Sequence, residues 1–377
     1  MRYRRFGRTE LPLSVFSLGT MRCLGNESES VQTLERALQQ GINHLETARG
    51  YGQNERQLGR ALQAGLPVRR EQLYITTKLP PTPNADAMRR WIDESLARLQ
   101  LDYLDCLALH GINTWTHLDW IERADGCMQA VEEALADGRI RNVGFSTHGS
   151  RELILAAIDT GRFAFVNLHY YYFFQHHEPA IARAAEQDMG IFIISPADKG
   201  GRLYDPPAKL QQLCHPFSPL ALNYRFLLSD PRITTLSMGP ANPSELDGPL
   251  QVADRDGPLD SAERAALARV EAQLEQALGP DKCSQCYQCL PCPEQINIPE
   301  VLRLRNLAVA YDMQDYGQYR YRMFENAGHW FPGAKGNRCT DCGECLPRCP
   351  ENLDIPRLLR DTHQRLGERR RRLWENE

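Results

Sequence analysis

Four side chains that can hold or move a proton fall at the ends of apolar segments in the first third of the sequence. Glu46 and Tyr51 follow "INHL", Lys78 ends "YITTK", and His110 ends "CLALH". Lysine and histidine are poor residues for a buried strand because burial disfavours their charged forms. A phenol is a weak acid, a neighbouring ammonium eases its deprotonation, and a carboxylate keeps that ammonium charged. Such a set could protonate the alkoxide that forms when a hydride reaches a carbonyl carbon, with His110 orienting the carbonyl oxygen.

Each of these side chains has an ordinary structural explanation when it is taken alone. Tyr51 could be a rim residue, and Lys78 could form a structural salt bridge. Their joint placement favours proton transfer, because a tyrosine, a lysine and a carboxylate at one place form a proton donor with its electrostatic support.

Eight of the twelve cysteines form two runs near the end of the sequence. The second run fits the ferredoxin pattern C-x2-C-x2-C-x3-C-P, and the first has one residue fewer before its last cysteine. In two-cluster ferredoxins the fourth cysteine of each run ligates the other cluster, so we expect Cys349 to join the first run and Cys292 the second. Structural zinc is the alternative, but it usually takes two separated C-x2-C pairs. Two [4Fe–4S] clusters are favoured over one, with ligands Cys283, Cys286, Cys289, Cys292, Cys339, Cys342, Cys345 and Cys349.

Net charge, hydropathy and the placement of the cysteines indicate which partners and which cellular compartment to expect. The net charge of −4 gives no electrostatic reason to expect nucleic acid or an anionic membrane, and no apolar run approaches a membrane span. Clustered metal-ligand cysteines without a visible export signal predict a reducing cytoplasm. Arg369 to Arg372 predict a solvated helix end, with a docking patch for an acidic partner as the minority alternative. The scattered cysteines are expected to be buried, inert thiols: Cys23, Cys106, Cys127 and Cys214.

The elements that must position these residues alternate along the first 250 residues or so. Eight short aliphatic segments are each followed by an amphipathic segment, which predicts an α/β fold of the (β/α)8 TIM barrel type, with its functional residues at the carboxyl ends of the strands. A doubly wound sheet is rejected because "SLGTMRCLG" does not fit the Gly-rich fingerprint. We expect a barrel over 1–257, a linker helix over 258–280, and a small α-helical ferredoxin-like domain over 281–377.

Five segments of the sequence resemble the aldo/keto reductases: "LETARGYGQNERQLGRAL", "ITTKL", "LALHG", "DGRIRNVGFSTHG" and "ITTLSMGPANPSEL". With the cysteine runs, the whole chain resembles the iron–sulfur-bearing branch of that family. The resemblance implies an NAD(P)H-dependent barrel in which Tyr51 is the proton donor and Lys78 and His110 are its partners. Glu46 stands where the family has an aspartate, and its carboxylate reaches one methylene further. Either the pairing with Lys78 is adjusted or activity is reduced.

The segment "GPANPSELDG" after the last strand predicts a helix start that could bind phosphate. Asn242 can cap the helix, Pro243 suits its first position, and Glu245 stands three residues beyond the cap. A simple helix cap is an equal alternative. The resemblance implies that this loop, from Gly239 onward, holds the adenosine phosphate. The loop has no basic side chain, which leaves the choice between NADH and NADPH open.

The resemblance also implies that Ser146, Asn167 and Ser195 orient the nicotinamide. Thr147 or His148 could replace the asparagine that commonly follows the serine. The aromatic run 170–174 could line the substrate pocket or pack beneath the barrel mouth.

These observations predict an oxidoreductase that interconverts a small carbonyl substrate and an alcohol, using NAD(P)H and two [4Fe–4S] clusters. Hydride chemistry moves two electrons at once, whereas each cluster takes one. The clusters could connect the enzyme to an external ferredoxin, sense redox state or brace the fold. The alternative is a non-catalytic redox sensor or electron carrier whose barrel binds nucleotide only as a ligand.

Overall fold

The computed structural model describes residues 1–22 and 27–367. Cys23 and the Arg369–Arg372 segment, for which the sequence predicts a buried thiol and a solvated helix end, lie outside the described residues. Contacts divide the chain into two compact units. The first comprises Met1–Gly200 and Leu220–Leu259, and the second comprises Gly201–Pro219 and Asp260–Glu377.

Eight parallel strands close into a barrel, as the alternating pattern predicts. The last strand pairs with the first barrel strand, so the sheet has no free edge. A two-stranded antiparallel hairpin precedes the barrel. The hairpin is β1 (Tyr3–Arg5) and β2 (Pro12–Ser14), and the barrel strands are β3 (Phe16–Gly19), β4 (His44–Glu46), β5 (Tyr74–Leu79), β6 (Cys106–His110), β7 (Val143–Ser146), β8 (Phe165–Leu168), β9 (Gly190–Ile193) and β10 (Thr235–Met238).

The helices of the first unit surround the barrel, and those of the second unit pack on one another. The first set is α1 (Glu27–Gln39), α2 (Asn54–Ala64), α3 (Ala85–Leu99), α4 (Trp115–Glu122), α5 (Cys127–Ala136), α6 (Arg151–Asp159), α7 (Glu178–Glu186), α9 (Pro219–Leu228) and α10 (Asp247–Leu250). The second set is α8 (Ala208–Cys214), α11 (Ser261–Leu278), α12 (Ile298–Tyr311), α13 (Gln314–Tyr321) and α14 (Ile355–Leu366).

The grouping of residues differs from the boundaries that the sequence suggests. Residues 201–219 lie inside the expected barrel domain but belong to the second unit, because α8 packs on α11. Arg269 of α11 donates to the carbonyl oxygen of Leu213 at 3.1 Å and to that of His215. Helix α11, expected to be a linker, is thus built into the second unit. The domain limits 1–257, 258–280 and 281–377 stay a prediction.

The amino-terminal end of the barrel is filled by aromatic rings. Phe6, at the end of the first hairpin strand, lies against Gly190, where a Cβ would fall 2.3 Å from its ring. The ring of Phe6 also packs against Phe165 at a centroid distance of 5.2 Å. Both rings are almost fully buried. Functional side chains are therefore left to the opposite, carboxyl-terminal end of the strands.

A polar layer lies between this aromatic floor and the carboxyl-terminal mouth. Nδ1 of His44 lies 2.6 Å from Oγ of Ser17, and Nε2 lies 2.8 Å from Oγ1 of Thr76. Burial, followed by the charge of Lys78, lowers the pKa of His44 to about 3. His44 is therefore neutral at physiological pH, and its two ring nitrogens tie neighbouring strands together.

The second unit contains two copies of one local design. The segment "CPEQINIPEVL" from Cys292 leads into α12, and "CPENLDIPRLL" from Cys349 leads into α14. Asn297 caps α12 by accepting from the amide of Glu300, and Asp354 caps α14 in the same way. Left-handed residues recur at matching places of the two copies, at Gln285, Gln295, Asp341 and Asn352.

Candidate functional site

The structure brings three of the predicted catalytic side chains into direct contact at the mouth of the barrel. Glu46 ends β4, and Lys78 lies on the adjacent strand β5. Nζ of Lys78 lies 2.5 Å from Oε1 of Glu46 and 3.1 Å from the hydroxyl oxygen of Tyr51. It also donates to the carbonyl oxygen of Thr47 at 3.1 Å. The longer glutamate side chain thus still reaches the lysine that the family's aspartate would pair with.

The electrostatics of this triad keep the lysine charged. Burial would lower the pKa of Lys78, but Glu46 and Tyr51 outweigh it, and the pKa is raised above its ordinary value. Lys78 and Glu46 are 2% and 4% exposed. The mouth therefore contains a buried ammonium, a group that is stable in such a place only when it is paired and hydrogen-bonded.

The phenol of Tyr51 behaves differently from the sequence-based expectation. Burial raises its pKa; the Lys78 ammonium lowers it, as expected, but does not outweigh burial. The phenol therefore stays protonated at neutral pH, which is the form that a proton donor needs.

His110 ends β6 and faces Tyr51. The two rings meet edge to face at a centroid distance of 5.7 Å and an interplanar angle of 86°. Burial lowers the pKa of His110 to about 3, with further contributions from Lys78 and Lys199. A neutral imidazole beside the phenol can donate a hydrogen bond without adding charge. The contribution of Lys199 is not visible in the sequence pattern.

The loop that carries Tyr51 is held by a buried asparagine that the sequence analysis missed. The amide of Asn54 donates to the carbonyl oxygen of Tyr51 at 3.2 Å, and its Nδ2 donates to that of Thr20 at 2.8 Å. Asn54 is 2% exposed and starts α2 on the same face as Leu58 and Ala61. A polar residue on the apolar face of an amphipathic helix was the signal that could have identified it.

Glu55, the next residue, is a second missed support. It is 2% exposed and accepts from Oγ1 of Thr77 at 2.6 Å and from Nη1 of Arg98 at 3.2 Å. Because Thr77 directly precedes Lys78 on β5, Glu55 ties the Tyr51 loop to the strand that carries the lysine.

Two of the predicted nicotinamide residues lie side by side on adjacent strands. Ser146 ends β7 and is in register with Asn167 on β8. Ser146 Oγ accepts from the amide of Gly111 at 3.1 Å. Oδ1 and Nδ2 of the Asn167 side chain are buried and lack a hydrogen-bond partner among residues 1–22 and 27–367. Because buried amides are normally paired, this side chain fits a bound group that offers one donor and one acceptor.

The other residues predicted to contact cofactor or substrate are Ser195, Thr147 and the aromatic run 170–174. Ser195 follows β9 with a left-handed backbone, φ 53°, a conformation that is uncommon outside glycine and often found at functional sites. The hydroxyl of Thr147 donates to the carbonyl oxygen of Ile112 at 2.7 Å and accepts from the amide of Gly149 at 2.9 Å. These two bonds commit Thr147 to the backbone of the loop. The aromatic run is partly structural, since Tyr170 and Tyr171 are buried.

The loop after β10 has the predicted capping residues but only a short helix. Asn242 Oδ1 accepts from the amides of Ser244 at 3.1 Å and Glu245 at 3.3 Å. Glu245 Oε2 accepts from the amide of Ala241 at 3.1 Å, one residue before the cap, so the return contact differs from that of a capping box. The helical segment that follows is a single 3-10 turn, Pro243–Leu246, and then the four residues of α10. An extended helix dipole for phosphate binding does not form here.

The cysteines of the second unit surround two small cavities. One is lined by Cys349 together with the first three cysteines of the first run, and the other by Cys292 together with the first three of the second run. The structure thus brings together the two crosswise quartets that the sequence predicts. The shorter spacing before Cys292 does not prevent it from reaching the second cavity.

The two helix starts of the repeat each contact both cavities. Ile298 lines one cavity and Pro299 the other, and Ile355 and Pro356 do so in the opposite sense. Each cavity is thus closed by apolar residues from both copies of the repeat.

The chemistry of the thiols fits soft-metal ligation. Burial raises the pKa of Cys283 to about 11 and that of Cys289 to about 12, and neighbouring cysteines add to both effects. Thiolates in such a place need a cation to compensate their charge. Over residues 1–22 and 27–367, no group of three or more Cys, His, Asp or Glu side chains is arranged to hold a single metal ion. Each quartet surrounds a small cavity of its own, and four cysteines are the ligand set of a [4Fe–4S] cluster.

The remaining described cysteines, Cys106, Cys127 and Cys214, are buried, as predicted for inert thiols. Burial is the first cause that raises the pKa of each. In the described part of the chain, no helix is both long and apolar enough to cross a membrane.

Comparison with known proteins gives two family matches. Residues 16–272 match the aldo/keto reductase family, and residues 282–353 match a 4Fe-4S dicluster domain.

Among curated relatives, 6-dehydroglucose reductase of Novosphingobium aromaticivorans is 31% identical over 161 residues, 38% of this chain and 51% of that protein. Morphine 6-dehydrogenase of Pseudomonas putida is 30% identical over 193 residues, 50% of this chain and 61% of that protein. The chain spans about half the length of the curated relatives that it matches.

Among solved structures, an aldo-keto reductase of Bacillus halodurans in its holo form matches with a TM-score of 0.62. The match covers 71% of this chain and 96% of that one, at 22% identity. At this identity the likeness shows the fold alone.

Proposed function

The chain belongs to the aldo/keto reductase family, and on that premise we propose that it is an NAD(P)H-dependent oxidoreductase that interconverts a carbonyl and an alcohol at the barrel mouth. The observation that carries this proposal is the contact of the Tyr51 hydroxyl with Nζ of Lys78 at 3.1 Å, beside the Lys78–Glu46 pair. The names of two relatives, a reductase and a dehydrogenase, support the same reaction class.

In the reducing direction, a bound nicotinamide cofactor supplies the hydride. Tyr51 donates its phenolic proton to the substrate oxygen as negative charge develops there. The ammonium of Lys78 stabilises the phenolate that remains, and Glu46 keeps that ammonium charged. His110, which is neutral, can donate a hydrogen bond that fixes the carbonyl oxygen near Tyr51.

Residues on neighbouring strands would hold the cofactor. The unpaired amide of Asn167 matches the donor and acceptor of a carboxamide, and Ser146 lies next to it in the sheet. We assign the nicotinamide to these two residues with Ser195. We assign the adenosine part to the loop of Gly239, Asn242 and Glu245.

The second unit would hold two [4Fe–4S] clusters that exchange single electrons with a ferredoxin-type carrier. The crosswise quartets support two clusters over one, since each quartet has its own cavity. Because the helix starts contact both cavities, each copy of the repeat would help to hold both clusters. Thiolate ligation of this kind favours a reducing compartment such as the cytoplasm.

The test is a substrate screen on anaerobically prepared holo-protein. Oxidation of NADH and NADPH is followed with aldehydes, ketones and quinones. Turnover should fall by about 10²–10⁴-fold in Tyr51→Phe. Tyr3→Phe is the matched control, because Tyr3 is 49% exposed and its hydroxyl donates to the carbonyl oxygen of Gly41, away from the barrel mouth. Nucleotide binding without turnover, together with reversible cluster reduction, would favour a sensor or carrier instead.

A further inference from the structure

The loop after β10, to which we assign the adenosine, is contacted by a positively charged side chain from another part of the chain. We call this loop, from Gly239 to Glu245, the adenosine loop. Arg22, which follows β3, grips the carboxylate of Glu245 with both guanidinium nitrogens: Nη1 lies 3.1 Å from Oε2, and Nη2 donates to Oε1 at 3.2 Å. Nη1 also donates to the carbonyl oxygen of Gly239 at 3.0 Å. The loop therefore does have a basic partner, although its own sequence contains none.

The groups that could bind an anion at this loop are already occupied by the protein itself. The amide of Ala241 donates to Glu245, and those of Ser244 and Glu245 donate to Asn242. The guanidinium of Arg22 is the charged donor at this loop, and it is of the kind that binds phosphate. The carboxylate of Glu245 occupies it as an internal anion.

A second ion pair repeats the arrangement two residues further on. Nη2 of Arg36, on α1, lies 2.5 Å from Oδ1 of Asp247. Each arginine that reaches the loop is therefore neutralised by a carboxylate of the loop. A 2′-phosphate would carry about two negative charges into this place and would have to displace Glu245 from Arg22. A ribose with a free 2′-hydroxyl would instead offer a donor that a carboxylate accepts.

We propose that Glu245 makes this chain selective for NADH over NADPH by holding Arg22 neutralised and by accepting from the adenosine ribose. The proposal rests on the proposed function, because it requires the nucleotide to bind with its adenosine at this loop. Glu245 is then a specificity residue, and Arg22 is a latent site for phosphate that Glu245 masks.

The test is equilibrium binding of NAD⁺ and NADP⁺ to the holo-protein, measured by calorimetry at low salt. We expect the wild-type chain to bind NAD⁺ at least about tenfold more tightly than NADP⁺. Glu245→Gln should shrink that ratio by about tenfold or more, mainly through tighter NADP⁺ binding. The double variant Arg22→Gln/Glu245→Gln should lose this tighter binding of NADP⁺. Because Arg22 and Glu245 are about half and one third exposed, the gain should weaken as salt rises.

Glu132→Gln is the matched control. It removes the same charge from another exposed ion pair of the first unit, with Arg162, at 2.7 Å. The proposal is overturned if the wild-type chain prefers NADP⁺, or if Glu245→Gln changes the ratio no more than Glu132→Gln does. If neither nucleotide binds, the proposed function itself fails, and this proposal fails with it. A normal preference for NAD⁺ with an unresponsive Glu245 would leave the proposed function standing.

Discussion

The barrel mouth and the cysteine unit assemble their sites in opposite ways. At the mouth, Glu46, Lys78 and His110 come from three adjacent strands, β4, β5 and β6, and Tyr51 comes from the loop after β4. In the cysteine unit, one segment of sequence occurs twice, and the two copies exchange ligands. The first site depends on a scaffold made of many dissimilar parts, and the second depends on two similar parts being present together.

Burial has different consequences in the two regions. The charge of the buried Lys78 ammonium is balanced by the carboxylate of Glu46, so no ligand is needed to neutralise it. In the cysteine unit, burial raises the pKa values of Cys283 and Cys289, and within the described part of the chain no lysine or arginine lines the cavity of their quartet. The other cavity is lined by one cationic side chain, Arg348, for four cysteines. We therefore expect the barrel site to be ordered in the bare chain and the cysteine unit to need its metal.

The largest expected effect tests the exchange of ligands. Cys349→Ser and Cys292→Ser should each remove one cluster, so that each variant binds about half the iron of the wild-type chain. Cys349→Ser/Cys286→Ser should be no worse than Cys349→Ser, because both residues serve one quartet. Cys349→Ser/Cys292→Ser should lose both clusters. Iron content and electron paramagnetic resonance measure these outcomes.

Cys214→Ser is the control for these variants, because Cys214 is buried in the same unit but lines neither cavity. Nucleotide binding by the barrel should survive in every cysteine variant. Loss of that binding would contradict the view that the barrel site is complete by itself. Recovery of full iron in Cys349→Ser would contradict the crosswise ligand sets.

The next effect concerns the buried pair at the mouth. Lys78→Met leaves the carboxylate of Glu46 buried without its counter-charge and should cost about 3–5 kcal/mol of unfolding free energy. Adding Glu46→Gln should restore part of this loss, because the uncompensated charge is then gone. Urea unfolding followed by circular dichroism measures both. Equal losses in the single and double variants would show that packing, not charge, explains the cost.

A smaller effect is expected from pH. In the folded chain the pKa values of His44 and His110 are lowered to about 3, whereas an unfolded histidine titrates near 6.5. As pH falls below about 6.5, these two histidines become protonated in the unfolded chain but stay neutral in the folded chain. Stability should therefore decrease from about pH 6.5 toward pH 3, by about 1.4 kcal/mol per pH unit for each histidine. His44→Gln should have a shallower slope of unfolding free energy against pH, and a slope equal to that of the wild-type chain would refute this assignment.

The smallest expected effect concerns the two copies of the repeat inside the cysteine unit. Asn297→Ala and Asp354→Ala remove the caps of the two equivalent helices, at hydrogen-bond distances of 3.4 Å and 3.2 Å. Each should lower stability by about 1 kcal/mol, and by similar amounts, if the two copies are energetically alike. Thermal unfolding of the metal-loaded protein measures both. A clear inequality would show that one copy dominates the unit.

The sequence predicts those features that depend on local pattern. The alternation of strand and helix segments predicts the barrel, and the spacing of the cysteines predicts which of them line each cavity. The pKa of Tyr51 could not be predicted, because burial, which raises it, is set by the packing of distant segments. The contact of Arg22 with Glu245 escaped for the same reason, since it joins the beginning and the end of the barrel. The repeat that follows Cys292 and Cys349 was legible in the sequence, whereas the contact of each helix start with both cavities needed the structure.

The exchange of Cys292 and Cys349 has a consequence for biosynthesis. A ribosome releases the first cysteine run while the residue that completes its quartet is still untranslated. The first metal site cannot be finished until Cys349 has emerged, whereas the second has all four of its cysteines once Cys345 has been made. A chain truncated before Cys349 would therefore present one incomplete thiol pocket to the cell, however complete its barrel.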